Sequence, residues 1–309
     1  MIRNFNELIA SMQGAAGGKT VAVVAAHDEH TLEAVALAYR NDMADPVLIG
    51  DRARIREIID ARGFEHRDVE IIEEKDEREA AKFAISMIRQ GAADFIMKGR
   101  LQTADLLKEV VNKEHGLQMG GMISHIAFFE LPNYHKLLAL TDGGMLPHPN
   151  VEDKAKILVN AVRTLHTLGY ENPKVAALAA TEIVNPKVLD TVDAAVLKKM
   201  NLEGRITGCT VEGPISLDLT ISREAARIKG FESPVTGDAD VLLVPDMTSG
   251  NMLAKSFQFL ANAKMAGMII GAKVPIVLVS RGASAEEKYL SMALSAAASV
   301  KERKRWDDL

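Results

Sequence analysis

Short apolar runs alternate with segments of helical periodicity along most of this chain. The first part of the chain contains four apolar runs, and a segment of helical periodicity follows each of them. The apolar runs lie at residues 20–26, 46–50, 69–72 and 93–97. Strands that alternate with helices in this way form parallel sheets covered by helices on both faces. Ligands of such sheets bind beyond the carboxyl ends of the strands, near a reversal of strand order. The residues just after each strand are therefore the first candidates for a functional site.

A second series of the same kind follows a segment rich in proline and glycine at residues 141–149. Its predicted strands lie at residues 174–178, 206–211 and 241–244. Because 309 residues exceed a typical single core, we expect two domains, with this segment as the hinge. A last apolar run at 274–279 is expected to return to the first sheet. The predicted α/β domains are residues 1–145 with 272–309, and residues 146–271.

Composition and charge exclude several classes of protein. The formal net charge is −5 and no basic tract is present, so nucleic acid is not an expected partner. No run of about 18 apolar residues and no signal-like start occur, so we expect a cytoplasmic protein without a membrane partner. The single cysteine, Cys209, excludes an intrachain disulfide and a cysteine-cluster metal site. Neither His125 nor His135 has the spacing of a metal ligand, so no metal is expected.

The turn after the fourth predicted strand carries two cations and a glycine. Lys98, Gly99 and Arg100 stand at the strand end, and Thr103 is placed to cap the next helix. Cations beside helix-start amides can hold a phosphate or pyrophosphate. The alternative is a solvated basic loop. We therefore predict a phosphate or pyrophosphate contact here, with that alternative open.

The last predicted strand leads into a similar turn. Ser280, Arg281 and Gly282 combine a hydroxyl, a fixed cation and a flexible glycine. Ser284 and Glu287 have the spacing of a capping box, which predicts that a helix starts there. An anion would be held at such a turn, although an ordinary capped strand–helix loop explains the same residues.

A third polar strand exit follows the predicted strand at 241–244. Asp246, Ser249 and Asn251 are residues that favour helix starts, so capping explains them, and the small Gly250 lies among them. Together these four residues also form a polar rim that a substrate could contact.

The strand exits supply cations, hydroxyls and carboxylates. The sequence contains no G-x-G-x-x-G fingerprint for nicotinamide cofactors and no G-x-S-x-G elbow for a covalent acyl-enzyme. This set of groups suits acyl transfer from an acyl phosphate. Arginines would bind the phosphate, and a hydroxyl, helix-start amides and a carboxylate would lie beside it.

Five sequence blocks, in the same order, resemble the phosphate acetyl/butyryltransferase family, with details closer to its butyryl branch. The blocks are MKGRLQTADLLKEVVNKEHGL, PKVAALAATEIVNPK, TGCTVEGPISLD, SPVTGDADVLLVPDMTSGNMLAKS and GAKVPIVLVSRGASAEEK. The resemblance implies a two-domain, three-layer α/β/α fold of the isocitrate/isopropylmalate dehydrogenase-like type, with the active cleft between the domains, and a homodimer. It also implies reversible transfer of a short acyl group between CoA and phosphate in a ternary complex. CoA and phosphate are then substrates, and no bound cofactor or metal is needed.

The resemblance also implies roles for single residues. Ser280 would lie beside the CoA thiol and the reacting carbonyl, and Arg281 would engage the phosphate or the developing oxyanion. The acetyl branch has an aspartate seven residues after the serine that is thought to take the thiol proton. Here Glu287 stands at that position, with Glu286 beside it, so the assignment of the base stays open between catalysis and capping.

Other functions remain as alternatives to this interpretation. One alternative enzyme is a CoA-binding hydratase or lyase, and the non-enzymatic alternative is an acyl-CoA-sensing module. A metal- and NAD-dependent decarboxylating dehydrogenase of the same fold would need clustered aspartates, whereas those of this chain are scattered. The sequence leaves the acyl-chain length and the direction of the reaction open.

Overall fold

In a computed structural model, the described residues are 1–12, 18–64, 69–280 and 282–305, and they form a mixture of helices and strands. The helices are α1 (Phe5–Met12), α2 (Glu29–Arg40), α3 (Arg52–Arg62), α4 (Glu77–Gln90), α5 (Thr103–Val110), α6 (Val151–Thr167), α7 (Leu189–Leu202), α8 (Leu217–Ile221), α9 (Arg223–Lys229), α10 (Met247–Phe259) and α11 (Ala285–Arg305). The strands are β1 (Thr20–Val24), β2 (Asp45–Gly50), β3 (Glu70–Glu73), β4 (Phe95–Lys98), β5 (Ser124–Glu130), β6 (Leu138–Thr141), β7 (Lys174–Leu178), β8 (Thr210–Ile215), β9 (Val241–Leu243), β10 (Lys264–Ile270) and β11 (Ile276–Val277).

The chain divides into two compact units. The central unit consists of Met1–Phe5 and Met122–Met265, and the terminal unit consists of Asn6–Gly121 and Ala266–Leu309. These bounds differ from the predicted domains at residues 1–5 and 122–145, which belong to the central unit, and at residues 266–271, which belong to the terminal unit. Residues 122–145 lie in the central unit because β6 pairs with β9. The proline- and glycine-rich segment, predicted as a hinge, therefore lies inside the central unit.

Local signals explain why the first helices start where they do. Asp28, Asp51 and Asp76 precede α2, α3 and α4, and each accepts hydrogen bonds from N–H groups of the first turn. The last turns of α3 and α4 end at Gly63 and Gly91, which adopt the left-handed conformation that favours glycine.

The terminal unit contains a sheet with the strand order β3-β2-β1-β4-β11-β10. Its strands are parallel from β3 to β11, and β10 is antiparallel to β11. The chain moves outward from β1 to β3 and then returns to place β4 on the other side of β1. With right-handed crossovers, this reversal puts α2 and α4 on opposite faces of the sheet. The reversal point between β1 and β4 is where ligands bind in sheets of this kind.

Apolar residues without polar alternation fill the middle of this sheet. Val21, Val23 and Val24 of β1 and Phe95 and Ile96 of β4 are fully buried. Such continuous apolar runs are typical of parallel strands that helices cover on both faces.

The central unit contains a sheet with the strand order β5-β6-β9-β7-β8. Its β5 and β6 form an antiparallel pair, and the other pairs are parallel. One core cluster joins residues of β5 to residues of α10, with Phe129 and Phe257 in an edge-to-face contact at 5.3 Å between ring centroids.

Three predicted elements differ from the structure. The segment 212–215, predicted as a strand exit, continues β8 as far as Ile215. The segment 264–270, left without a predicted strand, forms β10. The predicted strand at 274–279 is reduced to the two residues of β11, which pairs with β4 in parallel, as expected for a strand of the first sheet.

Candidate active site

The exits of β1 and β4 meet at the reversal point of the terminal sheet. The N–H of Gly99 donates to the carbonyl of Val24 at 2.8 Å, and that of Arg100 donates to the carbonyl of Ala25 at 2.9 Å. A Cβ atom at position 99 would lie 2.3 Å from the Ala25 oxygen, so only glycine fits. This close approach of two backbones places Arg100 at the reversal point.

The two predicted cations of this turn differ in their surroundings. The side chain of Lys98 is buried, and its Nζ atom donates to the carbonyls of Gly99 and Leu101 at 3.1 Å each. Arg100 is exposed. Lys98 therefore contributes to the shape of the turn, while Arg100 can be reached from solvent.

The predicted cap of the next helix is wrong. Thr103 is the first residue of α5, and Gln102 occupies the capping position without a side-chain hydrogen bond to the helix. Thr103 is half-buried at the start of this helix.

The exit of β11 forms a tight turn at the same edge of the sheet. The Oγ atom of Ser280 accepts a 3.4 Å hydrogen bond from Gly282 N–H, and its carbonyl accepts one of 3.0 Å from Ala283 N–H. Ser280 and Gly282 are exposed. Arg281 lies outside the described residues. Because β11, β4 and β1 are adjacent parallel strands, the turn at Ser280 and the turn at Arg100 share one sheet edge.

The prediction that Ser284 caps the start of α11 is confirmed. Ser284 directly precedes this helix, and its Oγ atom accepts a 3.1 Å hydrogen bond from Glu287 N–H. Glu286 is exposed and Glu287 is half-buried, both in the first turn of the helix. The backbone of Glu287 thus takes part in capping.

A partly buried ion pair at the exit of β1 is a feature that the sequence does not predict. Asp28 Oδ1 accepts hydrogen bonds from Lys288 Nζ at 2.6 Å and from Thr31 N–H at 2.8 Å. Lys288 Nζ also donates to Thr31 Oγ1 at 3.0 Å. Burial alone would raise the pKa of Asp28, but the hydrogen bonds from Lys288 and Thr31 outweigh burial and lower this pKa. The spacing of Asp28 and Thr31 signals a helix cap, but their partner Lys288 is too distant in sequence to be anticipated.

His27 is a second unpredicted residue at this edge. Its Nδ1 atom is buried and has no hydrogen-bond partner among the described residues. A Cβ atom at Gly50 would lie 3.2 Å from this nitrogen. Burial lowers the pKa of His27, and the positive charges of Arg100 and Arg54 lower it further. The carboxylates of Glu77 and Asp51 oppose this effect, and the net shift favours the neutral imidazole.

The predicted polar rim belongs to the central unit. Asp246 caps α10 through a capping box with Ser249, whose N–H donates to Asp246 Oδ1 at 2.7 Å. This bond from Ser249 is the main reason that the pKa of Asp246 is lowered. Asn251 is exposed. Gly250 packs on Gly143, since a Cβ atom at position 250 would lie 2.7 Å from Gly143 Cα.

The predicted site residues are therefore distributed over both units. Those of the terminal unit are Lys98, Gly99, Arg100, Thr103, Ser280, Gly282, Glu286 and Glu287, and those of the central unit are Asp246, Ser249, Gly250 and Asn251. Among residues 1–12, 18–64, 69–280 and 282–305, no group of three or more His, Cys, Asp and Glu side chains is arranged to hold a metal ion. No helix in the described part of the chain is long and apolar enough to cross a membrane.

Comparison with solved structures supports the fold. A branched-chain phosphotransacylase from Enterococcus faecalis V583 superimposes with a TM-score of 0.82 and 33% identity, over 91% of this chain and 99% of that chain. A 4-hydroxythreonine-4-phosphate dehydrogenase from Klebsiella pneumoniae aligns with a TM-score of 0.55 and 12% identity, over 92% of this chain and 100% of that chain, so it shares the fold alone. The two-domain α/β fold of the dehydrogenase-like type is confirmed.

Sequence comparison identifies the family. The family model described as phosphate acetyl/butaryl transferase matches residues 73–296. A phosphate butyryltransferase from Clostridium acetobutylicum is 42% identical over 96% of this chain and 98% of its own length. A phosphate acetyltransferase from Thermotoga maritima is 43% identical over 90% of this chain and 95% of its own length. The chain belongs to the phosphate acetyl/butaryl transferase family, and its activity is that of a phosphate acyltransferase.

Proposed function

We propose that this phosphate acyltransferase moves a short acyl group, butyryl or acetyl, reversibly between CoA and inorganic phosphate by direct thiolate attack. The observation that carries this proposal is the shared sheet edge of the terminal unit, where the exits of β4 and β11 present Arg100 and Ser280. A cation and a hydroxyl at one edge suit a phosphorylated acyl group. The family membership supports the same reaction.

In the direction that forms acyl-CoA, the CoA thiol loses its proton and its sulfur attacks the carbonyl carbon of the acyl phosphate. The C–S bond forms, the carbonyl oxygen gains charge, and the C–O bond to phosphate then breaks and releases inorganic phosphate. A thiol with a pKa near 8.5 is mostly protonated at neutral pH, so a base or a positive field must favour the thiolate. No covalent bond to the protein is needed.

In this proposal, Ser280 lies beside the thiol and the carbonyl, and Arg281 stabilises the developing oxyanion or the phosphate. A positioned donor at such an oxyanion contributes about 3 kcal/mol to the transition state. Glu287 and Glu286 are the candidate bases. The hydrogen bond from Glu287 N–H to Ser284 involves the backbone, so capping and proton transfer by the Glu287 carboxylate are compatible.

The phosphate and CoA contacts are proposed for residues at the strand exits of both units. Arg100 would bind phosphate oxygens, with Gly99 required for the close turn and Thr103 at the start of α5. Lys98 would act mainly by holding the turn, since its ammonium donates to the carbonyls of that turn. Gly282, Asp246, Ser249, Gly250 and Asn251 complete the proposed contact set. The candidate lining residues of the acyl pocket are Met97, Met119, Met122 and Met145, and methionines would permit several acyl chain lengths because their side chains adapt in shape.

The test is phosphate-dependent release of free thiol from acetyl-, propionyl- and butyryl-CoA, measured side by side with and without phosphate. Release that requires phosphate supports the proposal, and the relative rates give the acyl preference. Binding of acyl-CoA without any release would instead support a sensing module. Loss of crotonyl-CoA absorbance without phosphate would support a hydratase.

A homodimer is proposed from the family resemblance and is tested by light scattering coupled to size-exclusion chromatography. A monomer that retains full activity would contradict this part of the proposal.

A further inference from the structure

Two buried polar atoms in the central unit lack a hydrogen-bond partner among the described residues. They are Nδ1 of His125, in β5, and Oδ2 of Asp142, which follows β6. Ile126 and Thr141 are paired in the antiparallel register, so His125 and Asp142 are the chain neighbours of one strand pair. Asp142 is only 3% exposed. Buried polar groups without partners are rare in native proteins, so these two atoms require an explanation.

The other oxygen of Asp142 organises the turn that follows β6. Asp142 Oδ1 accepts hydrogen bonds from the N–H groups of Gly144 and Met145, each at 2.9 Å. Two donors on one oxygen fix the backbone of residues 143–145 relative to β6. Without the Asp142 side chain, both N–H groups would lose their acceptor.

The turn contacts both His125 and α10. A Cβ atom at Gly144 would lie 3.2 Å from Cγ of His125, so the imidazole packs on this glycine. Gly143 packs on Gly250 in the first turn of α10, where Asp246 forms the cap. The turn therefore links the unpartnered pair to the polar rim formed by Asp246, Ser249, Gly250 and Asn251.

The surroundings favour the uncharged forms of both side chains. Burial raises the pKa of Asp142 and lowers that of His125 to about 4. Backbone N–H groups near the Asp142 carboxyl, among them those of Gly144 and Met145, lower its pKa and so oppose the effect of burial. Of the neighbouring titratable groups, Asp246 is engaged in its own helix cap, and His148 lies near Asp246.

We propose that Asp142 is a positioning residue for acyl transfer: its hydrogen bonds hold residues 143–145 against α10 and so set the place of the polar rim. This inference rests on the proposed function, because the rim is proposed to contact the substrates. In this role Asp142 acts through the geometry of its hydrogen bonds, and its negative charge is not needed. That distinguishes it from a catalytic base, which must ionise.

The test compares Asp142→Asn with Asp142→Ala. Asparagine removes the charge but keeps an oxygen acceptor for the N–H groups of Gly144 and Met145, whereas alanine removes that acceptor. We expect D142N to stay within about twofold of the wild-type kcat/KM, and D142A to raise the KM for acyl-CoA about tenfold with a smaller change in kcat. Calorimetric titration with CoA alone should show the same order of affinities.

Asn201→Ala is the matched control. Asn201 also holds backbone groups of a turn, with its amide donating to the carbonyls of Ile206 and Cys209, but that turn precedes β8 at the opposite sheet edge. We expect N201A to lower the thermal midpoint without changing the KM. If D142A does not fold, Gly144→Ala replaces it, because its new Cβ would displace the turn from His125.

Two results would overturn the inference. Equal loss of activity in D142N and D142A would show that the charge of Asp142 acts in the reaction. Wild-type KM and CoA affinity in D142A, or in G144A where D142A does not fold, would show that the turn does not position the rim. Failure of the proposed function would be seen in the wild-type protein, which would then release no thiol from acyl-CoA. In that case, the CoA affinities of the D142N and D142A proteins still decide the role of Asp142.

Discussion

The Nζ atom of Lys288 lies 2.6 Å from Oδ1 of Asp28 and joins the first turn of α11 to the cap of α2. The side chain of Lys288 is 5% exposed and that of Asp28 is 29% exposed, so water screens the pair only in part. Their bond fixes α11, which starts just after the turn at Ser280, to the exit of β1. The proposed catalytic turn is thus anchored at the reversal point of the sheet.

Lys288→Met should lower the free energy of unfolding by about 2 kcal/mol, because it leaves the partly buried carboxylate of Asp28 without its cation. Loss of one partner of a fully buried pair costs about 3–5 kcal/mol, and the exposure of Asp28 reduces this. Urea unfolding measures the change. Lys199→Met is the control, since Lys199 forms an exposed ion pair with Glu203 and should have little effect. Equal effects of the two substitutions would contradict the prediction.

Gly99→Ala should destabilise the terminal unit by about 3 kcal/mol, because its Cβ atom would clash with the Ala25 carbonyl. Gly282→Ala is the matched control for stability. A Cβ atom at position 282 meets nothing within 4 Å, so the stability should change by less than about 0.5 kcal/mol. Thermal and urea unfolding of both variants measure the difference. A stable G99A protein would refute the close backbone approach at this turn.

Arg281→Ala should keep the fold and lower kcat by about two orders of magnitude or more, because it removes the proposed oxyanion or phosphate donor. The measurement is phosphate-dependent thiol release under saturating substrates, with circular dichroism as the check on folding. Arg205→Ala is the control, since Arg205 is exposed and paired with Glu152 at 3.3 Å. Near-normal turnover of the R281A protein would refute the assignment.

Arg100→Gln should raise the KM for phosphate or for CoA with a smaller effect on kcat, because an exposed cation of the proposed site is lost. Lys98→Met should raise the KM as well, and should also lower the thermal midpoint, because the buried ammonium bonds two carbonyls of the turn. Steady-state kinetics and thermal unfolding separate the two effects. An unchanged KM in both variants would exclude the turn from substrate binding.

Acidification from pH 6.5 to pH 4 should destabilise the protein through His125. Its pKa is about 4 in the folded chain and near 6.5 when unfolded, so in this range the unfolded chain binds more protons. Stability therefore falls as the pH falls, by up to about 3 kcal/mol, and is independent of this group above pH 6.5. His125→Asn should flatten the pH dependence of urea unfolding. His135→Asn, at an exposed histidine, serves as the control. An unchanged slope in the H125N protein would contradict the assignment.

Sequence periodicity located strands best where both faces are buried. The predicted strand at 174–178 has the bounds of β7, whose residues are almost all buried. By contrast, β8 was predicted to end before Glu212, because Gly213 and Pro214 are usual turn residues. The strand β10 was missed because Gly267 interrupts its apolar run.

The residues of the candidate site also fall into two groups: those that a local sequence pattern predicts and those that only the tertiary structure shows. Residues after the strands were found because parallel strands end at one sheet edge, which predicts Arg100 and Ser280 without tertiary information. The pairing of Asp28 with Lys288 joins positions 260 residues apart, and no local pattern signals it. That Nδ1 of His125 and Oδ2 of Asp142 are buried without a hydrogen-bond partner among the described residues is likewise a tertiary property, which no local sequence pattern signals.

The terminal unit is assembled from two separate stretches of chain, and this has a consequence for biosynthesis. When a ribosome has completed β4, the strand β11 that will flank it and the helix α11 that will carry Lys288 have not yet been made. The central unit, by contrast, needs little beyond residue 265. We expect nascent chains to acquire protease resistance in the central unit first, and the reversal point to close only after translation of the last forty or so residues.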